Sequence, residues 1–259
     1  MPSTYAKNQT EAPTRYADYR DVLGVTSEEI EIIEYIKNTR DSLELTELFS
    51  SNAFETETGQ LAGFSALVCD RLSELFGIPF NLTIREPADL IKSLDSRQAD
   101  FSMSVPDAHR PDGRYFMADT GIERIIHTYQ IDRPSTTPLS LTAQRRPLRL
   151  AFLRDSFIIH DLIRINEPFE RIFVNDYAEA LLRLQTGTID AYCDYNTAEV
   201  ALQTSLYLLS TEYLPLVRSG LFITTANRDL RAFIDVIRKY IANGGLAEME
   251  QLNTQGYRS

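Results

Sequence analysis

Apolar and polar positions follow two rhythms along this chain, one helical and one extended, and a single combination of the two occurs twice. Leu90-Ile91-Lys92-Ser93-Leu94 followed by Ala99-Asp100-Phe101 matches Leu181-Leu182-Arg183-Leu184 followed by Ile189-Asp190-Ala191, about ninety residues later. In both copies the last helical leucine stands six residues before an aspartate that opens an apolar strand. A helical face giving way to a short apolar run is the second half of a strand-helix-strand unit. Two such units predict two similar α/β lobes, and two lobes imply a cleft.

The surrounding pattern extends each unit. Thr26 and Glu29 have capping-box spacing, and Ile32, Ile33 and Ile36 share one face, which predicts a helix from about Ser27 to Lys37. A strand at Leu43 to Leu48 leads through the turn Thr58 to Phe64 into a helix from about Ser65 to Phe76, with Gly77 at a left-handed cap. A strand at Phe80 to Ile84, a helix at Ala88 to Leu94 and a strand at Asp100 to Met103 complete the first unit. Pro106, Pro111 and Gly113 then break regular structure just beyond the carboxyl end of a strand, where open α/β sheets bind ligands.

Ile122 to Tyr129 reads as a connecting strand, and Asp132 to Arg146 as a surface excursion. The second lobe is expected to place strands at Leu148 to Leu153, Ile172 to Val174 and Ile189 to Cys193. Its expected helices run over Ser156 to Ile165, Tyr177 to Gln185 and Thr197 to Leu206. A second crossing near Thr211 to Leu216, a strand at Gly220 to Thr225 and a helix with Leu230, Phe233, Ile234, Ile237 and Ile241 on one face return the chain to the first lobe. The expected division is a leader with a helix over 1–42, lobe one over 43–129 and 211–259, and a linker excursion with lobe two over 130–210. Residues 1–20 are polar and aperiodic, and are expected to be frayed or weakly docked, with order beginning near Val22.

Composition narrows the function. With 259 residues, 43% hydrophobic and 24% charged, the chain is an ordinary globular protein able to bury a substantial core. No apolar run approaches the roughly 20 residues that span a bilayer. No apolar stretch follows Met1 to Asn8 either, so a chain working outside the cytoplasm is expected to be a processed or excised piece. The net charge of -11 argues against nucleic-acid partners, which require clustered Lys and Arg. Cys69 and Cys193 fall in different lobes, one in a helix and one in a strand, and are expected to be buried and unpaired. His109, His127 and His160 lack metal-ligand spacing, and no phosphate-binding, dinucleotide-binding or nucleophile-elbow motif is present. No metal or cofactor is expected.

Gly59-Gln60-Leu61-Ala62-Gly63-Phe64, the helix ending at Gly77, the two Leu-to-Asp repeats and Ala226-Asn227-Arg228-Asp229-Leu230 together resemble the extracellular solute-binding proteins of family 3, over about Leu43 to Gln255. The resemblance implies a periplasmic-binding-protein type II, or Venus-flytrap, fold with two hinge crossings. The threonine-capped, glutamate-rich helix before the first strand, Val25-Thr26-Ser27-Glu28-Glu29, is similar to the entry of flytrap sensor domains in membrane-bound histidine kinases, diguanylate cyclases and phosphodiesterases. This likeness implies an extracytoplasmic domain that closes on a small solute such as an amino acid and is anchored to membrane signalling modules in the same polypeptide. The alternative is the substrate-binding protein of an amino-acid ABC importer, partnered by a permease. A remoter one is a dehydratase-like enzyme on the same fold, for which His109 beside Asp107 offers the acid–base pair.

The resemblance also implies a site. A carboxylate ligand needs a cation, which the family supplies after a Ser/Thr-rich turn. Ser102 to Arg110 occupies that place, making Ser104 and Arg110 the candidates and Arg114 the nearest substitute. The family's ammonium-binding acid follows the lobe-two Asp-Ala strand, where this chain has Asp194 and then Tyr195. One residue along a strand reverses the side chain, so either Asp194 or Tyr195 is expected to face the cleft. Ser156 is expected at the start of the first lobe-two helix, either as an ordinary cap or with amides for an anion. Phe54 is expected as an aromatic wall or as core, and Asp190 as a structural residue at the strand start.

Overall fold

The computed structural model describes residues 16–105, 113–154, 156, 158–162, 168–198, 202, 208–211, 213 and 218–256. Pro106 and Pro111 of the expected loop, and most of the helix expected over Thr197 to Leu206, lie outside the described residues. The leading helix α1 (Ser27–Thr39) has the full capping box, with the Thr26 hydroxyl accepting from the Glu29 amide and the Glu29 carboxylate accepting from the Thr26 amide. The first sheet comes next. Strands β1 (Leu43–Leu48), β4 (Phe80–Arg85) and β5 (Phe101–Ser102) run parallel, connected by helices α2 (Phe64–Phe76) and α3 (Pro87–Asp95). A small hairpin, β2 (Phe54–Glu55) and β3 (Leu61–Ala62), stands between β1 and α2.

Strand β6 (Phe116–Ile131) is twice as long as the connecting strand the sequence suggests, and it belongs to both lobes. Its first part pairs antiparallel with β11 (Arg218–Thr225), giving the order β4-β1-β5-β11-β6. Its second part pairs with β9 (Ala191–Tyr195) and with β10 (Leu208–Thr211), a strand the apolar pattern did not reveal. Beyond β9 lie β7 (Leu148–Leu153) and β8 (Phe169–Val174), parallel to one another and to β9. The strands at Asp100 and Asp190 thus join one hydrogen-bonded ladder, where two separate sheets were expected. A register shift opposite Gly220 and Phe222, with Gly121 in the left-handed region at φ 75°, bulges β6 before it enters the second lobe. Bulging adds local bend and twist, which lets one strand serve both lobes.

The cores remain distinct. Phe76, Phe80, Phe101 and Phe233 pack at centroid distances of 4.8–6.2 Å in the first, beneath α2 and α7 (Arg231–Tyr240). The predicted final helix is two, because Asn243 and Gly244 leave helical geometry between α7 and α8 (Leu246–Gly256). The second lobe holds two smaller clusters, around Leu150, Phe152 and Cys193 on one face of its sheet and around Ala151, Tyr192 and Val174 on the other. They are closed by α4 (Leu139–Ala143), α5 (Ile158–Leu162) and α6 (Tyr177–Gln185). Both cysteines are buried and free. Order begins before Val22, since Tyr19 is fully buried against Phe76 and belongs to the first core. The described part of the leader is therefore built into lobe one.

The two repeats adopt one structure. Helices α3 and α6 each have nine residues, and each is followed by a left-handed residue, Arg97 at φ 59° and Gly187 at φ 66°. The Asp100 carboxylate accepts both arms of Arg40 at 2.7 Å and the Glu44 amide at 2.9 Å, so it ties β5 to β1. The Asp190 carboxylate accepts both arms of Arg146 at 2.6 Å and the Arg149 amide at 2.7 Å, so it ties β9 to β7. Burial works to raise the Asp190 pKa, but the donors from Arg146 and Arg149 outweigh it and hold the group well below the usual range. Asp190 is a structural clamp.

Candidate functional site

A cleft of about 610 Å³ lies between the lobes. Its walls come from the carboxyl ends of parallel strands, the place where α/β sheets collect ligand-binding loops because each strand ends there in a turn that frees backbone amides. Glu47, Leu48, Phe49 and Asn52 follow or end β1, Arg85 ends β4, and Ser104 follows β5. Across the cleft, Leu153 and Ser156 end or follow β7, Asn175 and Asp176 follow β8, and Asp194 and Tyr195 end β9. Arg124, on the crossing strand β6, stands between the two walls.

Four of the expected site residues line this cleft: Ser104, Ser156, Asp194 and Tyr195. The choice between Asp194 and Tyr195 resolves into both. Their side chains lie on opposite faces of β9, Tyr195 with the Cys193 cluster and Asp194 beside Tyr192, but the strand ends at the cleft floor and both faces open onto it. Ser156 is not the first residue of α5, which begins at Ile158; its hydroxyl accepts from the Ile158 amide at 3.4 Å. Phe54 is absent from the lining. The bridge between Ser50 and Ala53 reverses the chain before β2, so Phe49 faces the cleft and Phe54 pairs into the small hairpin. Arg110, with Asp107 and His109, lies outside the described residues. Arg114 is exposed and is not part of the lining.

Three ionisable groups that sequence reasoning passed over or left unresolved dominate the electrostatics. Glu47 is 3% exposed and accepts from the Met103 amide and, at 2.5 Å, from the Ser104 hydroxyl. Burial pushes its pKa up to about 7 even though these donors and the charge of Arg124 act to lower it. Asp194 is 7% exposed, accepts from the Tyr192 hydroxyl and from the Tyr195 amide at 2.8 Å, and is pushed by burial to about 6, again against the pull of Arg124. Arg124 is 6% exposed, with its guanidinium carbon 3.9 Å from the centroid of the Tyr195 ring. Among the described residues, its Nε and Nη2 have no hydrogen-bond partner. Glu47 sits in the strand pattern Leu43-Glu44-Leu45-Thr46-Glu47-Leu48, where an acid at an otherwise buried strand end was the one available signal.

The same architecture occurs in solved structures. A mutant of ArgBP from T. maritima matches with a TM-score of 0.67 at 16% identity, over 88% of this chain and 100% of that one. The B. pertussis BvgS periplasmic domain matches with a TM-score of 0.71 at 17% identity over 90% of this chain, which spans 45% of that longer one. AbpA from Streptococcus pneumoniae, an amino acid ABC transporter substrate-binding protein bound to L-arginine, matches with a TM-score of 0.69 at 12% identity over 87% of this chain and 98% of that one. No protein-family model matches the sequence, and no curated protein does. These likenesses establish the fold alone: the chain has the two-lobed, Venus-flytrap architecture of type II periplasmic binding proteins. No helix among the described residues is long and apolar enough to cross a membrane.

Proposed function

We propose that this chain is an extracytoplasmic small-solute-binding domain that closes on an amino acid or a closely related molecule and acts as the sensor of a bacterial transmembrane signalling protein. The observation that carries the binding reading is the cleft itself. A volume of about 610 Å³ suits a small solute, and a buried cation between two buried acids contributed by opposite lobes offers complementary charge to both ends of a zwitterion. A solute touching Glu47 on one wall and Asp194 on the other binds the closed state better than the open one, and that difference in affinity drives closure. Ser104, Ser156, Asp194 and Tyr195 are its proposed contacts, and Arg110 is a further candidate. In this reading the chain catalyses nothing.

The sensor role is supported by the leading helix. Its Glu29 accepts from Lys239 of α7 at 2.5 and 2.6 Å, which fixes the N-terminal element to lobe one, so that motion of that lobe moves the chain entering it. The likeness to AbpA keeps the importer reading in view, with an ABC permease as partner. A thermal-shift panel of amino acids, short peptides and organic acids tests binding. A saturating solute raises the melting temperature, by the equivalent of about 2.7 kcal/mol at a hundredfold excess over Kd. Absence of any shift across the panel refutes the amino-acid reading. A reading frame that continues into a transmembrane helix and a kinase or cyclase module favours the sensor; one that sets a lipoprotein signal before this segment and stops after it favours the importer.

A further inference from the structure

We propose that Arg124 is the carboxylate receptor of this cleft, gripping the ligand side-on through its Nε and Nη2 at the point where β6 passes from one lobe to the other. The inference rests on the solute-binding reading and adds the chemical group recognised and the residue that recognises it.

The geometry is specific. A guanidinium offers three edges, and the edge made by Nε–H and the outer Nη2–H presents two parallel donors spaced for the two oxygens of one carboxylate. In Arg124 these two nitrogens are the ones left without a partner among the described residues, in a side chain more than nine-tenths buried that lines the cleft. Leaving a buried donor unpaired carries the full cost of its desolvation, more so for a charged group. Stacking on Tyr195 recovers part of that cost through the ring face but satisfies neither N–H, because those hydrogens lie in the guanidinium plane and the ring lies beneath it. Glu47 and Asp194 feel the charge of Arg124, but among the described residues neither bonds to its Nε or Nη2. Their oxygens are occupied instead by Met103, Ser104, Tyr192 and Tyr195. Both acids are thus engaged elsewhere, and the buried Nε–Nη2 edge is left unmatched.

The neighbours hold the receptor still. Arg124 pairs in register with Ser219 of β11, and Ser219 accepts the Tyr195 hydroxyl at 3.4 Å. The next residue, Ile125, donates its amide to the Asn196 side chain at 3.2 Å. Strand β6 therefore fixes the backbone of Arg124 against lobe one, while the ring under its guanidinium belongs to lobe two. A carboxylate seated here lies on the hinge axis with the rest of the ligand extending between Glu47 and Asp194, and those acids favour a ligand that carries an ammonium or another donor beyond its carboxylate. A spherical anion cannot use both donors of the edge in line, so the site distinguishes a carboxylate from a halide.

The test uses the Arg124 side chain as its own reporter. In uniformly 15N-labelled protein, the Nε–Hε resonance lost in Arg124→Lys identifies Arg124. On titration with acetate this resonance moves downfield and saturates, whereas acetamide and equal ionic strength of chloride leave it in place. A resonance indifferent to acetate, or moved equally by chloride, overturns the proposal, and because the readout is on wild-type protein it stands even if Arg124→Lys folds poorly and the assignment is made instead from Tyr195→Leu, which removes the ring-current shift. If an amino acid in the thermal-shift panel binds Arg124→Lys within threefold of wild type, the cleft reading survives and the receptor assignment fails. If acetate saturates the Arg124 signal while no solute in the panel raises the melting temperature, the receptor stands and the amino-acid reading fails.

Discussion

Replacing Glu47 by Gln should make the protein more stable above neutral pH and leave it unchanged in acid. Glu47 is buried and its pKa is raised from the ordinary 4.5 to about 7. A carboxyl whose pKa rises on folding binds its proton more tightly in the folded state, so its stabilising contribution is complete below pH 4.5 and is lost as pH climbs through 7. At about 1.4 kcal/mol per pH unit, that interval corresponds to about 3 kcal/mol at pH 8 and above. Gln removes the charge and can keep the bonds. Its carbonyl oxygen accepts from the Met103 amide as Glu47 does, and its NH₂ donates to the Ser104 hydroxyl, which turns from donor to acceptor. The assay is urea denaturation of wild type and Glu47→Gln at pH 4.5, 6 and 8. The difference between the two curves isolates Glu47, because Asp194 and the surface carboxylates titrate in both. The expected difference is near zero at pH 4.5 and grows to about 3 kcal/mol in favour of the variant at pH 8. Parallel stability curves, or a variant less stable than wild type at pH 8, would show that Glu47 is not a buried acid under strain. The expected functional counterpart is weaker ligand binding by the more stable variant, since a strained polar site gives up stability for recognition.

Three more substitutions probe the frame around the cleft. Asp190→Asn should cost about 2 kcal/mol in urea denaturation at pH 7, because it leaves the Arg146 and Arg149 donors partly unmet. Since the Asp190 pKa is depressed, its stabilising contribution is present above pH 3.8 and lost as pH falls below that, so the wild-type advantage should vanish on the acid limb. Arg97→Gly should raise stability by roughly 0.5–1 kcal/mol, measured as a higher Tm, because Arg97 holds the left-handed conformation that the second repeat assigns to Gly187. Gly63→Ala should cost about 3 kcal/mol or more and weaken ligand binding as well: at φ 99° its new Cβ would lie 2.5 Å from the Asn52 carbonyl, and Asn52 lines the cleft.

Elements and their order were legible because they rest on local chemistry. The capping box at Thr26, the glycine stop at Gly77, and the spacing of Leu94 and Leu184 ahead of Asp100 and Asp190 act within a few residues, and the helices and strands formed as their periodicity implies. The repeats held more than was read from them: each aspartate closes the same clamp onto its neighbouring strand, through an arginine whose distance in sequence gave no sign of the pairing. The weak strand β10 was missed because it is stabilised by β6, far along the chain, whereas the division of the last helix into α7 and α8 was a local signal, Asn243-Gly244-Gly245, that the apolar periodicity overrode.

The site was less legible than the frame around it. Asp194, Tyr195, Ser104 and Ser156 could be placed because they end or follow strands, and strand ends converge on the cleft in any fold of this kind. Arg124 and Glu47 were passed over: Arg124 shares the inward phase of β6 with Ile122 and Ile126, a signal that the alternation carried and its charge obscured, and Glu47 resembles any acid near a strand end. What sets them apart is burial, and burial is a property of the packed whole. Sequence alone determined which segments become helices and strands, since that depends on hydrogen bonds and side-chain periods set by near neighbours. Tertiary structure decided which charges lose their water, because only the meeting of two lobes across β6 brings a cation and two acids into one low-dielectric space.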